Sequence, residues 1–100
     1  MTITTGLDIP ALELIEICKR YRIAEMSVFG SAARGELSPE SDVDVLVEFE
    51  AGAVLGLDYF GLEQELAKLM GRPVDLATKK WLKLAVRVRI LRDARVIYAA

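Results

Sequence analysis

Four apolar or alternating stretches, and three in which apolar residues recur at three- and four-residue steps, outline this chain. Asp8 and Pro10 suit a helix start, and Leu14, Ile15, Cys18 and Tyr21 or Arg22 then follow the helical period, which predicts a helix to about Tyr21. Glu25 to Phe29 reads as a short strand running into Gly30. Ser31 suits the cap of a short helix ending near Gly35, and Ser38-Pro39-Glu40-Ser41 reads as a turn. Asp42 to Phe49 is the clearest strand, with Val43, Val45, Val47 and Phe49 on one face and Asp42, Asp44, Leu46 and Glu48 on the other. After a loop with two glycines, Asp58 to Met70 predicts a helix buried through Tyr59, Leu62, Leu66 and Leu69 and closed by Gly71. Arg72 to Ala77 predicts a third strand. Lys80 to Arg92 predicts a helix with Leu84, Val88 and Leu91 on its stripe, and Arg95 to Tyr98 a last strand. The expected architecture is α/β, a small mixed sheet packed with helices, in one domain over residues 1–100.

Composition narrows the chemistry. There is no histidine, so Ser–His–Asp or Cys–His catalysis and a His-containing zinc site cannot be built from this chain. The lone Cys18 sits on the apolar side of its helix and reads as a small core residue. A single cysteine, a start without the pattern of a secretion signal and the lack of a membrane-length apolar run set the expectation of a cytoplasmic protein with no membrane association. The net charge of −2 hides an asymmetry. Residues 1–75 carry fourteen acidic and six basic side chains, whereas residues 76–100 carry seven basic ones against Asp93 alone. A basic tail of that kind reads either as a surface for a polyanion or acidic partner, or as a solvated face that offsets the acidic remainder.

The chemistry lies between Val28 and Phe49. Gly30-Ser31 ends an apolar strand, ten residues intervene, and Asp42 and Asp44 follow at a spacing of two, which on a strand turns both carboxylates to one side. Paired carboxylates repel unless cations sit between them. Mg²⁺ suits such a pair, because it takes one or two carboxylates together with substrate phosphates. Glycine lets backbone approach a phosphate closely, and the amides that follow Ser31 favour an anion. Arg34 suits either a phosphate or a nearby acid such as Glu36. Asp75 lies in a short apolar strand, and if that strand neighbours Asp42 and Asp44 it completes a three-carboxylate site suited to two metal ions. The pattern is neither a P-loop nor a dinucleotide fingerprint. It points to phosphoryl or nucleotidyl transfer.

Together, Gly30-Ser31, Asp42-x-Asp44 and the later Asp75 resemble the nucleotidyltransferase superfamily that includes DNA polymerase beta. Gly30-Ser-Ala-Ala-Arg-Gly35 followed by Ser41-Asp-Val-Asp44, then Gly71-Arg-Pro-Val-Asp-Leu76 and the basic segment Leu82 to Tyr98, is similar to the minimal nucleotidyltransferases, or MNT proteins. These are typically antitoxins paired with a HEPN-domain ribonuclease toxin. The resemblance implies a polymerase beta-like palm fold, with Asp42 and Asp44 holding metals, Asp75 completing the site and Gly30-Ser31 contacting a nucleotide triphosphate. It also implies transfer of AMP from ATP to a tyrosine of the toxin, within a hetero-oligomer. Independently, so short a chain shows no second domain for a small-molecule acceptor, so the acceptor is expected on another macromolecule. The competing readings are a non-catalytic antitoxin that neutralises its toxin by binding, a small-molecule transferase weakened by the missing acceptor domain, and a nucleic-acid module. The last ranks lowest, because the tail offers mainly Trp81 and Tyr98 as aromatics.

Overall fold

The computed structural model describes residues 9–36, 38, 41–53, 58–79 and 82–100. Its elements run α1 (Ala11–Arg20), β1 (Ile23–Phe29), β2 (Val43–Phe49), α2 (Asp58–Met70), β3 (Val74–Thr78), α3 (Leu84–Asp93) and β4 (Arg95–Ala99). The strands form one mixed sheet in the order β3-β2-β1-β4. β1 runs antiparallel to both β2 and β4, while β2 and β3 are parallel and joined through α2, since parallel neighbours need a crossover of helix length. Asp8, Pro39, Glu40, the loop at 54–57, Lys80 and Trp81, to which the sequence assigns caps, turns or packing, lie outside the described residues.

One face of the sheet makes the core. Met26 and Val28 of β1, Val43, Val45 and Val47 of β2, and Val74 and Leu76 of β3 are buried with Leu14, Ile17 and Cys18 of α1 and Leu62, Leu66 and Met70 of α2. The alternation predicted for β2 holds at Val43, Val45 and Val47, but Leu46, expected on the aspartate face, is buried as well and Phe49 is only half-buried. Each fully buried aliphatic side chain contributes roughly 1.5–3 kcal/mol relative to exposure. The α1 stripe runs through Ile17 rather than Ile15, which is exposed, and the α2 stripe ends on Met70. Cys18 is fully buried and desolvation pushes its thiol up to about 12, as befits an inert core residue.

Gly71, at φ 68°, closes α2: the N–H of Arg72 reaches back to the carbonyl of Ala67 at 3.2 Å, satisfying one of the last helical acceptors. Tyr21, at the end of α1, donates its hydroxyl to Glu65 of α2, whose other oxygen takes Arg20 Nη1 at 2.6 Å. Gly61 leaves room for this contact, since a Cβ there would come within 3.2 Å of the Tyr21 hydroxyl.

Two expectations are corrected. Residues 30–35 form turns, not a short helix. Only Arg34 N–H to Gly30 O, at 3.2 Å, has the helical spacing, and so few residues cannot offset the cost of nucleating a helix. The tail helix starts at Leu84, and its Leu84, Val88 and Leu91 face outward; none of its residues is buried. α1 and α2 already occupy the core face, and α3 lies against β1 instead.

Candidate active site

The opposite face of the sheet carries the acidic residues. Phe29, Asp44 and Asp75 stand in register across β1, β2 and β3, so the Asp44 and Asp75 side chains project from the same face of neighbouring strands. Asp42 leads into β2, whose first paired residue is Val43, with the Val43 N–H donating to Pro73 O at 2.9 Å. Asp42 and Asp75 are exposed and Asp44 is half-buried. The Asp44 carboxyl is held above its ordinary range by partial burial, then by the like charges of Asp75 and Asp42, with Arg34 working in the opposite direction. Asp44 therefore feels the charge of both other carboxylates. Among the described residues no three Asp, Glu or Cys side chains converge closely enough to enclose an ion by themselves.

Gly30 is shaped by Asp44. It sits at φ 65°, in the left-handed region, and a Cβ built there would collide with Asp44 Oδ2. Any side chain at position 30 would both strain the turn and displace the carboxylate, so glycine is required twice over. Behind it, Ala32 and Ala33 are buried, and Arg95 of β4 donates from Nε to the Ala33 carbonyl at 3.0 Å, pinning the turn to the edge strand. The Glu36 N–H closes the turn onto Ser31 O at 2.8 Å. Across the following loop, the Ser38 and Ser41 hydroxyls lie 2.8 Å apart, and Arg72 Nη1 donates to Ser38 O at 2.5 Å.

Asp75 is positioned by contacts the sequence did not reveal. β3 is an edge strand, and alternate backbone groups on its outer side have no strand to pair with. α2 supplies the partners: the Leu76 N–H donates to Glu63 Oε2 at 3.3 Å, and Tyr59 donates its hydroxyl to Leu76 O at 3.0 Å while accepting from Thr78 Oγ1 at 3.2 Å. Glu63 and Tyr59 thus hold the residue next to Asp75 from both sides of its peptide. The signal was the parallel β–α–β unit itself, whose outer strand must find hydrogen bonds beyond the sheet.

A cleft of about 310 Å³ opens beside Gly30, walled by Phe29, Arg34 and, from α3, Val86, Arg89, Ile90, Arg92 and Asp93. Arg34 is engaged by acids there, its Nε 2.7 Å from Glu36 and its Nη1 3.7 Å from Asp93. The basic tail is divided by this geometry. Arg89 and Arg92 face the cleft, Lys79 pairs with Glu48 at 3.3 Å, and Arg95 serves the Gly30 turn. Arg87 donates to Leu82 O at 3.3 Å, and its Nε is buried with no hydrogen-bond partner among the described residues.

A mixed sheet with helices on one face and paired carboxylates beside a glycine turn on the other is the construction of a nucleotidyl-transferring enzyme. The family model described as nucleotidyltransferase domain matches residues 12–98, and the chain belongs to that family. It is 42% identical over 83 residues to the protein adenylyltransferase MntA of Thermococcus cleftensis, spanning 83% of this chain and 81% of that relative. A solved structure described as a minimal nucleotidyltransferase is 38% identical with a TM-score of 0.73, covering 85% of this chain and 86% of its own. The complex of a tri-AMPylated Shewanella oneidensis HEPN toxin with an MNT antitoxin shares the fold, at a TM-score of 0.65 and 16% identity over 90% of this chain and 70% of the other. Among the described residues no helix is long and apolar enough to cross a membrane.

Proposed function

We propose that this nucleotidyltransferase moves AMP from ATP, with Mg²⁺, onto a tyrosine hydroxyl of a HEPN-domain ribonuclease toxin and so acts as its antitoxin. The observation that carries the reading is the registered pair Asp44 and Asp75, with Asp44 filling the space that Gly30 leaves by lacking a side chain. The adenylyl group and the protein acceptor are supported by the name of the Thermococcus relative, and the toxin by the Shewanella complex.

The residues fit the metal. Asp42, Asp44 and Asp75 offer only oxygen donors. The Asp44 carboxyl is raised first by partial burial and then by the like charges of Asp75 and Asp42, and that second part is what a divalent cation would relieve. When bound there, Mg²⁺ would offset charge on the phosphates and on the developing transition state. The chain's own groups do the rest. The backbone of Gly30 and Ser31 seats the triphosphate, with Arg34, Arg89 and Arg92 supplying positive charge along the cleft. The acceptor oxygen forms a bond to the α-phosphorus as the bond from that phosphorus to the bridging oxygen breaks and pyrophosphate leaves. The hydroxyl proton passes to Asp75, which is exposed beside Asp44 on the neighbouring strand. Arg34 must exchange its acidic partners for phosphate to take part, a rearrangement within reach of a half-exposed side chain.

The test is to incubate the chain with ATP, Mg²⁺ and a HEPN-domain toxin from the same genome, and to follow that protein's intact mass and ribonuclease activity. Mass increments of one AMP on tyrosine, with loss of ribonuclease activity, are expected from the parent and not from Asp44→Asn. Silencing of the ribonuclease without any mass change, equally by Asp44→Asn, would establish the purely binding antitoxin instead.

A further inference from the structure

α3 carries its apolar residues on the wrong side for a helix that belongs only to this fold. Leu84, Val88 and Leu91 recur at four- and three-residue steps and so share one stripe, yet they are 71%, 52% and 40% exposed. The residues turned inward, Arg87 and Ile90, are only half-buried. Lys83 stands at the head of the stripe, and the exposed Arg89 and Arg92 lie between it and the cleft, against Asp93 alone. An outward apolar stripe framed by cations is the pattern of an interface core with a charged rim.

We infer that this stripe is the docking surface for the protein acceptor, whose matching face is apolar with an acidic rim. The inference rests on the transfer reading above and names the part of the chain that receives its partner. Charge selects the occupant: an isologous pair of α3 stripes would set one cationic rim against another, whereas an acidic rim attracts and orients. Position supports it as well, because Val86, Arg89, Ile90 and Arg92 of the same helix wall the cleft beside Gly30. A partner seated on the outer stripe therefore lies next to the cleft in which the transfer reading places the triphosphate. Neither Val88 nor Leu91 lines that cleft, so docking and nucleotide binding can be disturbed separately.

The experiment compares Val88→Glu, Leu91→Glu and Val88→Lys with the parent. It measures association with a HEPN-domain toxin from the same genome, binding of ATP with Mg²⁺ to the chain alone, thermal midpoint, and the chain's own mass by light scattering. Both glutamate variants are expected to weaken association by about tenfold or more, as central interface positions do, and Val88→Lys by less, because an acidic rim tolerates a cation. ATP binding and the midpoint stay at parental values. Unchanged association in both glutamate variants overturns the inference, as does a fall in midpoint together with lost ATP binding, which would make the stripe part of the fold. A parental dimer dissociated by Val88→Glu, with HEPN association untouched, overturns it in favour of a second copy. The two readings fail separately. If the parent binds the HEPN protein through the stripe but adds no AMP, the transfer reading falls and the docking surface stands. If AMP is added with parental efficiency by the glutamate variants, the reverse holds.

Discussion

Helices α2 and α3 have similar leucine-rich periodicity and opposite fates. In α2, Leu62, Leu66 and Met70 are buried against the sheet, and polar residues on its flank, Tyr59 and Glu63, grip the edge of β3. In α3, the equivalent stripe of Leu84, Val88 and Leu91 faces outward. The difference does not lie in the pattern of either segment. α2 is the crossover between two parallel strands, so chain connectivity holds it on the sheet, and with α1 it covers the core face. α3 follows β3 once that face is occupied, and it is placed beside the acidic face, where the chemistry needs access. Periodicity reports that a helix has an apolar side; what covers that side is a matter of topology and of partners.

The largest effect that tests this contrast is on the buried side. Leu66→Ala in α2 should cost about 2–5 kcal/mol in chemical denaturation, the range for a fully buried leucine whose site cannot wholly collapse. A loss below about 1 kcal/mol would mean that α2 is not the fixed wall described.

Next comes the acidic face that α3 leaves open. Asp44→Asn should reduce nucleotide transfer by more than about a hundredfold, since it removes charge needed where phosphate charge is balanced. Stability should move the other way. In the fold the Asp44 carboxyl titrates above its ordinary range, so its ionised form works against folding. That penalty is absent at low pH, where the carboxyl is protonated folded or unfolded, and it grows as pH rises through the carboxylate range to the raised value. In metal-free buffer the midpoint of Asp44→Asn should therefore match the parent at acid pH and equal or exceed it at neutral pH. A variant that is less stable at neutral pH than at acid pH, relative to the parent, would refute the penalty that burial and the like charges of Asp75 and Asp42 place on ionised Asp44.

The sequence made the acidic face legible for a specific reason. A period of two on β2 is strict, so the burial of Val43, Val45 and Val47 forces Asp44 to the other face, and Asp75 follows once the β–α–β unit sets β3 parallel to β2. Gly30 was legible as a turn, but its clash-free fit to Asp44 needed the register of β1 against β2. The grip of Tyr59 and Glu63 on Leu76 was not legible, because tyrosine on a buried stripe reads as packing and glutamate at a helix flank reads as solvated. The outward turn of α3 was not legible either. Leu84, Val88 and Leu91 satisfy the rule for a core stripe, and nothing local to the segment distinguishes core from interface. The division of the tail arginines between cleft and turn likewise depends on where α3 sits.

A smaller effect belongs to the grip itself. Tyr59→Phe keeps the ring and deletes the hydroxyl that bridges Leu76 O and Thr78 Oγ1. The net cost should be about 0.5–1.5 kcal/mol of stability, as for one or two neutral hydrogen bonds. If the grip positions Asp75, transfer should slow beyond what the lost stability explains, with ATP affinity little changed. Equal transfer by parent and variant would leave Tyr59 as a structural residue only.

The smallest effect is the counterpart of Leu66→Ala on the other helix. Leu84→Ala removes the same atoms from a position that is 71% exposed, so little apolar area is returned to water and no cavity is left. Alanine also has the higher intrinsic helix propensity, which acts in the stabilising direction by a few tenths of a kcal/mol. The two terms oppose each other, and the change in stability of the isolated chain should fall within about 0.5 kcal/mol of zero. Under the proposed function, the same pair of variants measured with a HEPN-domain toxin bound should then converge. Leu84→Ala would acquire a cost it lacks in the free chain, because the partner now desolvates the stripe and the missing side chain leaves a gap in the interface. A loss of 2 kcal/mol or more already in the free chain would show that α3 is packed in the manner of α2. A change near zero both free and bound would show that Leu84 lies outside the docked surface.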